Sequence, residues 1–477
     1  MLIWLAFALD ISGWVIRLTM IPVVAMRQKN AATCLAWLAV IFVIPWLGLL
    51  AYLLLGEQSL GFLRVRKRMR RHKAFDAIHR HHAIMPEVDH VRLHRDHETL
   101  IHLAERHGGL PLLGGNRVDL LADTDEVVRR LIQDIDQAHS HVHLLFYIFR
   151  DDQMGRMVGD ALIRASLRGV HCRLLADMVG SRGMFSGLGA RLQENGVQVV
   201  AGLTANPLRM RLARLDVRNH RKLAIIDGSI AYTGSQNIVD PVFGHSKAGA
   251  WHDVMVRVVG PSTRQLQSVF VEDWYQETGE ALDCPSLYPP ALTEGAVALQ
   301  ILPTGPDQPI DGFQDLLIQA IHSARRKVVI TSPYFIPNEG LLTALRLAVS
   351  RGVVVDLILP RRSDHPLVDL ASYHYCGILM EHGAHVYLFG DGMLHAKLLR
   401  VDDAVAMIGS ANFDIRSFYL NLEVVLFLFD QEFLYTVRQL QSQYRSRSEK
   451  VDPNIWNRRP WPRRLLESIA KVFSPLL

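Results

Sequence analysis

The stretch HRKLAIIDGSIAYTGSQN, residues 220–237, decides how this 477-residue chain is read, because its spacing returns as HAKLLRVDDAVAMIGSAN, residues 395–412. Both copies run His, one residue, Lys, four residues, Asp, six residues, Gly-Ser, one residue, Asn. So many polar positions at fixed intervals do not recur by chance. In a strand, residues two apart project to one face, so His220 pairs with Lys222 and His395 with Lys397. An imidazole and an ammonium leaving a strand end together suit an anionic group: the first can attack or carry a proton, the second offsets charge on phosphate oxygens.

Two copies in one chain point to one composite site, with two histidines, two lysines and two asparagines around a single phosphorus. That set supports a two-step reaction in which one histidine attacks to give a phosphohistidine and the other protonates the departing alkoxide. The second histidine then serves as base toward an incoming hydroxyl. No metal or other cofactor is called for, since the lysines and asparagines supply the charge stabilisation. Ser235, Asn237, Ser410 and Asn412 are expected to hydrogen-bond the substrate. Asp227 and Asp402 complete each catalytic motif, but an aspartate at a turn after a strand more often orders backbone amides, which gives them a supporting part.

Working outward, the surroundings of the two motifs repeat as well. A helical pattern of Val127, Leu131, Ile132 and Ile135 leads into a β-rich run at 141–149, and residues 313–324 lead likewise into 327–335. Helical segments 161–168 and 345–351 both end at Arg-Gly (Gly169, Gly352) and pass straight into strands. The duplication spans about residues 116–445, of α/β character, joined near the proline-containing stretch 284–309. His139, His141 and His143 would share a strand face, read here as structural or at a solvent edge. Tyr147 and Tyr334 hold matching places, either lining the site or filling the interface between halves. Arginines 209, 211, 214 and 218 alternate with apolar residues ahead of the first motif, a surface for lipid or a solvated amphipathic face.

At the N-terminus, Ala31 to Leu55 carries no charge over a length able to cross a bilayer, and Met1 to Met26 is a second apolar run interrupted by Asp10 and Arg17. A basic n-region and a cleavage site of small residues, the marks of a signal peptide, are missing. The short connector at 27–30 allows a helical hairpin. The cluster Arg64, Arg66, Lys67, Arg68, Arg70, Arg71 and Lys73 then places the main body on the cytoplasmic side and offers a surface for anionic headgroups. The net charge of +5 is compatible with anionic partners without choosing among them. His79, His81, His82 and His90 lack metal-site spacing, and the four cysteines are too scattered for a zinc or disulfide framework. The segment 456–473 mixes tryptophan, arginine and an apolar face, as an interfacial helix or a tail docked on the protein would.

The paired motifs resemble the HKD motifs of the phospholipase D superfamily over about residues 116–445. That resemblance implies a mixed β-sheet flanked by helices in each half, an active site between the halves, and acidic residues that orient the histidines; Asp253 and Glu423 stand at those places. With the N-terminal apolar runs, the basic stretch and the ending at 473–477, the whole chain resembles the bacterial cardiolipin synthases. The resemblance implies a phosphatidyltransferase joining two phosphatidylglycerols with release of glycerol, His220 as nucleophile and His395 as general acid. It also implies a multi-pass protein of the bacterial inner membrane, with its catalytic domains facing the cytoplasm.

The expected layout is a two-helix transmembrane hairpin at 1–56, a basic connector at 57–115, phospholipase D-like domains at 116–290 and 291–450, and an amphipathic tail at 451–477. Phosphatidylglycerol and anionic membrane lipids are the expected partners; nucleic acid is not, and an oligomer is compatible with the sequence. Two alternatives remain at this stage: a membrane-anchored phospholipase D-type hydrolase, with water as acceptor, and a non-catalytic membrane protein binding anionic lipid or nucleic acid. Membrane spans favour a lipid substrate because they hold the site where lipid is concentrated.

Overall fold

The structure, a computed structural model, describes residues 2–28, 31–56, 95–203, 217–242, 249–306 and 312–472. The basic cluster at 64–73, the histidines at 79–90, arginines 209, 211 and 214 and the final residues 473–477 lie outside the described residues. The chain divides into two compact units, residues 1–77 with 205–217, and residues 78–204 with 218–477.

Three helices, Leu2–Arg27, Ala31–Val43 and Pro45–Leu55, make up the described part of the first unit apart from short flanking residues. Ile16, Met20, Val24, Ile41 and Tyr52 form its buried core. Among the described residues one helix is long and apolar enough to cross a membrane, over Leu9–Arg27. Arg17 does not pair with Asp10 here but donates from Nε to the Phe42 carbonyl at 3.0 Å. The expected continuous run from Ala31 to Leu55 is broken at Ile44. Pro45 has no N–H to give, and the residue before a proline is pushed out of helical geometry; Ile44 sits at φ −132°, ψ 79°.

The second unit carries the repeat as one fifteen-stranded sheet. The first half contributes β1 (Leu113–Leu121), β2 (His141–Phe146), β3 (His171–Asp177), β4 (Gln198–Gly202), β5 (Leu223–Ile226), β6 (Ile230–Gly234) and, after the short β7 (Trp251–His252), β8 (Met255–Val259). The second half contributes β9 (Val297–Thr304), β10 (Lys327–Thr331), β11 (Val354–Pro360), β12 (His385–Phe389), the short β13 (Met393–Leu394), β14 (Leu398–Val401), β15 (Val405–Gly409), β16 (Glu423–Leu428) and β17 (Ser448–Lys450). Antiparallel pairing of β1 with β9 joins the halves. From that seam the order outward is β1-β8-β6-β5-β2-β3-β4 on one side and β9-β16-β15-β14-β10-β11-β12-β17 on the other. The two lists match strand for strand until β17, so the sheet itself carries the duplication seen in the sequence.

Strand β16, buried along its length, reads after Glu423 as a continuous apolar run, VVLFL, while β2 is equally buried but carries His141 and His143. Each half has its own core: Val127, Leu131 and Ile135 pack with β2, β3 and β5 in one, and Phe313, Leu316 and Leu317 pack with β10, β11 and β14 in the other. Helices Gln153–Leu167 and Glu339–Ser350 end as their Arg-Gly signals require, with Gly169 and Gly352 at φ +90° and +85°.

Candidate active site

The two motif histidines sit in extended chain just ahead of β5 and β14, and main-chain bonds from the opposite half fix each of them. His220 N–H donates to the Leu422 carbonyl at 2.8 Å, and Leu422 N–H donates back to Arg218 at 2.9 Å. In the mirrored arrangement, His395 and Ala396 N–H groups donate to the His252 carbonyl at 2.8 and 3.0 Å, beside the parallel pairing of β7 with β13. The segment that grips each histidine is the one that leads into the carboxylate the sequence singled out.

The side chains therefore cross. His220 Nδ1 lies 3.0 Å from Glu423 Oε2 of the second half, and His395 Nδ1 lies 2.6 Å from Asp253 Oδ1 of the first. A carboxylate at Nδ1 fixes the tautomer that leaves Nε2 free to react. Both carboxylates are buried and held by further donors: Ser235 Oγ donates to Asp253 at 2.6 Å, Ser410 Oγ donates to Glu423 at 2.6 Å, and Ser417 Oγ reaches Glu423 Oε1 at 3.1 Å. Burial works to raise the Asp253 carboxyl, but His395, Lys397 and Ser235 outweigh it and hold it at about 2. Glu423 is likewise lowered, by His220, Lys222 and Ser410 against the effect of burial.

Lys222 and Lys397 are fully buried, and each Nζ donates to the carbonyl of its own motif histidine, at 2.6 and 2.7 Å. Burial pushes Lys222 down to about 7 and Lys397 to about 8, while Glu423 and Asp253 pull the other way. Burial also drives the His220 imidazole down to about 4, against Glu423, and lowers His395 against Asp253. Each histidine additionally responds to the lysine of the opposite half, which marks the four groups as one electrostatic cluster. An uncharged imidazole beside a poised cation is what an attack on an anionic phosphodiester needs.

Several residues take other positions than the sequence led us to expect. Ser235 and Ser410 are engaged within the protein: each hydroxyl donates to its carboxylate and accepts the N–H of Val254 or Val424, at 2.9 and 3.0 Å. They orient the groups that orient the histidines. Asn237 Oδ1 accepts the Ile148 N–H at 3.0 Å, while Asn412 Oδ1 is buried without a hydrogen-bond partner among the described residues. Asp227 and Asp402 are not at the imidazoles at all. Asp227 accepts the N–H groups of His139, Ser140 and His141 at 2.8–2.9 Å, and Asp402 those of Arg325, Arg326 and Lys327 at 2.6–2.9 Å. Both sit at positive φ, +52° and +50°, at the far end of β5 and β14, about 20 Å of extended chain from the motif histidine.

His141 and His143 share a face as expected and are buried against Gln267, with the His143 ring stacked on Phe270 at 4.5 Å. Among the described residues no group of three metal-ligating side chains comes together. The repeat-matched tyrosines diverge: the Tyr147 ring lies 4.9 Å from that of His220, whereas the Tyr334 hydroxyl donates to Asp364 at 2.5 Å.

Three contributors escaped the sequence reading. The Trp251 ring packs 4.4 Å from His395. Arg221, the unspecified residue of its motif, is buried; it pairs with Asp273 at 2.7 Å and donates across the halves to the carbonyls of Glu423 and Thr304, both at 3.0 Å. The motif glycines allow close approach: a Cβ on Gly234 would lie 2.2 Å from the Val254 carbonyl, and one on Gly409 2.4 Å from that of Val424. The sequence displayed two of these, the glycines repeated in both motifs and the arginine between His220 and Lys222, whose counterpart Ala396 has no polar side chain.

Comparison with known proteins places this geometry. A family model described as cardiolipin synthase, phospholipase D-like domain, matches residues 131–274 and 317–445, and one described as phospholipase D-nuclease N-terminal matches residues 2–57. The chain is 36% identical over 464 residues, 95% of each chain, to cardiolipin synthase A of Yersinia pseudotuberculosis serotype O:3, and equally to that of Yersinia pestis biovar Antiqua. The crystal structure of phosphatidylserine synthase from Haemophilus influenzae superposes with a TM-score of 0.58, covering 79% of this chain and 99% of that one at 14% identity; what is shared there is the fold.

Proposed function

This chain belongs to the cardiolipin synthase family of phospholipase D-like proteins, and on that premise we propose that it transfers a phosphatidyl group from one phosphatidylglycerol to the hydroxyl of another. The observation that carries the reading is the crossed pairing of His220 with Glu423 and His395 with Asp253. His220 Nε2 attacks phosphorus, the bond to glycerol breaks, and His395 gives that oxygen its proton, leaving a phosphohistidine. His395 then takes the proton from the glycerol hydroxyl of the second lipid, whose oxygen attacks phosphorus as the bond to His220 breaks. Cardiolipin and glycerol leave, and both imidazoles return to their starting states.

The assignment of roles rests on the carboxylates. Burial lowers both imidazoles; the 2.6 Å bond from His395 to Asp253 is the shorter of the two and opposes that effect at His395, which is therefore assigned the proton-carrying role. His220 is driven to the neutral form and its side chain is the more exposed, 12% against 4%. Lys222 and Lys397, with the amides of Asn237 and Asn412, offset the charge that grows on the phosphoryl oxygens. Ser235 and Ser410 hold the carboxylates in register.

The apolar helix over Leu9–Arg27 anchors the chain, and the proline-broken segment 31–55 serves as a second pass. The basic cluster that follows sets the catalytic unit on the cytoplasmic side of a bacterial inner membrane. The test is direct. Purified protein incubated with phosphatidylglycerol in detergent micelles and a chelator is expected to give cardiolipin and glycerol in equal amounts by mass spectrometry. His220→Ala and His395→Ala are expected to give neither. Phosphatidic acid as main product would replace the transferase by a hydrolase, and absence of both would remove the enzyme.

A further inference from the structure

Helix Trp461–Val472 is amphipathic in the sense opposite to that of a helix belonging to a soluble core. It packs on helix Pro366–Glu381, with Ala470 joining Ile336, Val368 and Ala371. Its inward face also carries a charge, since Glu467 is buried and accepts from Arg459 Nη1 at 2.6 Å and Arg463 Nε at 3.5 Å. The Arg459 guanidinium in turn lies 3.6 Å over the Trp456 ring. Everything that docks the helix to the protein is thus satisfied on one side.

The other side is apolar and open. Trp461, Leu465, Leu466, Ile469 and Val472 are between 45% and 74% exposed. Positions 461, 465, 469 and 472 repeat at helical spacing, so they form one stripe along a helix about 18 Å long. Exposed cations accompany it, Arg458, Arg464 and Lys471, and the one acid of this segment is Glu467, buried and already paired with Arg459 and Arg463. A stripe of this kind does not stay in water in a monomeric soluble protein.

The geometry points to a single occupant, the surface of a bilayer rich in anionic phospholipid, with the helix lying in the plane of the headgroups. The apolar stripe enters the acyl boundary, Trp461 takes the interfacial position that its amphipathic ring prefers, and the three cations meet lipid phosphates. A second copy of the chain is the poorer match, because symmetric pairing of this face sets one row of uncompensated cations against another. The inference extends the proposed function: it gives the catalytic unit its own hold on the membrane in which the substrate resides, separate from the N-terminal helix.

The full chain, with Cys34→Ala and Cys284→Ser removing the accessible thiols, takes a single added cysteine at Leu465→Cys, or at Lys450→Cys on exposed β17 as control. Each is labelled with an environment-sensitive nitrobenzoxadiazole dye and reconstituted in vesicles containing phosphatidylglycerol. A lipid nitroxide set in the upper acyl chain is expected to quench the dye at 465 several-fold more than at 450, with a blue-shifted emission at 465 alone. Quenching is expected to fall by more than half when the vesicles hold only zwitterionic lipid. Equal quenching at both sites overturns the proposal, as does a blue shift at 465 that grows with protein concentration without lipid quenching, which would assign the face to a second copy. Equal quenching at 465 in zwitterionic vesicles overturns the anionic part. None of these readouts needs turnover, so they stand or fall independently of the transferase reaction.

Discussion

Replacing Glu423 by glutamine separates the two histidines' duties. Glu423 Oε2 takes hydrogen bonds from His220 Nδ1 at 3.0 Å and Ser410 at 2.6 Å, and Oε1 one from Ser417 at 3.1 Å. The amide keeps the shape and can still accept from His220, but it carries no charge to set against the positive ring that forms when Nε2 bonds to phosphorus. An asparagine in place of the carboxylate behind the catalytic imidazole of serine proteases costs about 10⁴ in rate. In this buried site a loss of about 10³–10⁴ is expected, about 4–5.5 kcal/mol of barrier, with the fold retained in thermal melts. The assay is rapid acid quench of phosphorus-labelled substrate, counting label on protein. Two substrates are compared, phosphatidylglycerol and a phosphatidyl p-nitrophenyl ester whose leaving group needs no proton. Glu423→Gln is expected to form the phosphoenzyme slowly from both. Asp253→Asn, which weakens the proton donor instead, is expected to be slow with phosphatidylglycerol but to accumulate phosphoenzyme from the aryl ester, because His395 must still act as base in the second step. Rescue of Glu423→Gln by the aryl ester, with none for Asp253→Asn, would invert the assignment of nucleophile and acid and refute the reasoning.

Other outcomes follow from the same contacts. Burial holds Lys222 near 7 and Lys397 near 8, so each loses its positive charge as pH rises through those values; kcat/KM is expected to fall between about pH 7 and 9, and a flat profile to pH 9 would show that neither charge assists. Asp227→Ala removes the acceptor for three backbone N–H groups at the start of β2, at an expected cost of about 2–4 kcal/mol in denaturant unfolding, with turnover per folded molecule within about threefold of the parent. Arg221→Gln leaves Asp273 buried without its cation, an expected loss of about 3–5 kcal/mol by the same unfolding measurement; a loss below 1 kcal/mol would show that this link between the halves is not needed.

The doubled motif was legible because its residues serve a local rule. His220 and Lys222 must leave the same strand end, and Asp227 must turn the chain, so the spacing is written in consecutive positions. What the spacing could not show was which half each carboxylate serves. Asp253 lies 33 positions after His220 and 142 before His395, and the pairing of β7 with β13 across the halves brings it to the latter. The bonds of Ser235 and Ser410 were hidden for a related reason: a hydroxyl close to a histidine in sequence reads as a substrate ligand, and only the folded chain shows that each donates to a buried carboxylate. Pro45 was visible, but an apolar run without charges reads as one span until the missing N–H is counted. Trp251 gave no signal, since a tryptophan beside a short strand is ordinary core material.

The halves match in their sheet yet differ where they meet the imidazoles, and those differences give a reason for unequal roles. His395 lies against Trp251 and within 2.6 Å of Asp253, enclosed and strongly paired; His220 lies beside Tyr147 and is held at 3.0 Å by a glutamate that also serves three other donors. A carboxylate shared among four donors has less charge to offer any one of them, which favours the neutral ring that attacks. A carboxylate shared with one serine and one imidazole has more charge to set against burial at His395, which is the reason for proposing that ring as the proton carrier. Arg221, present in one motif and replaced by Ala396 in the other, binds the Glu423 carbonyl and so stiffens the backbone behind the attacking side alone. A perfectly symmetric pair would give no ground for choosing between the histidines; the asymmetry built into the first motif and its partner carboxylate is the ground on which the proposed reaction assigns the attack to His220.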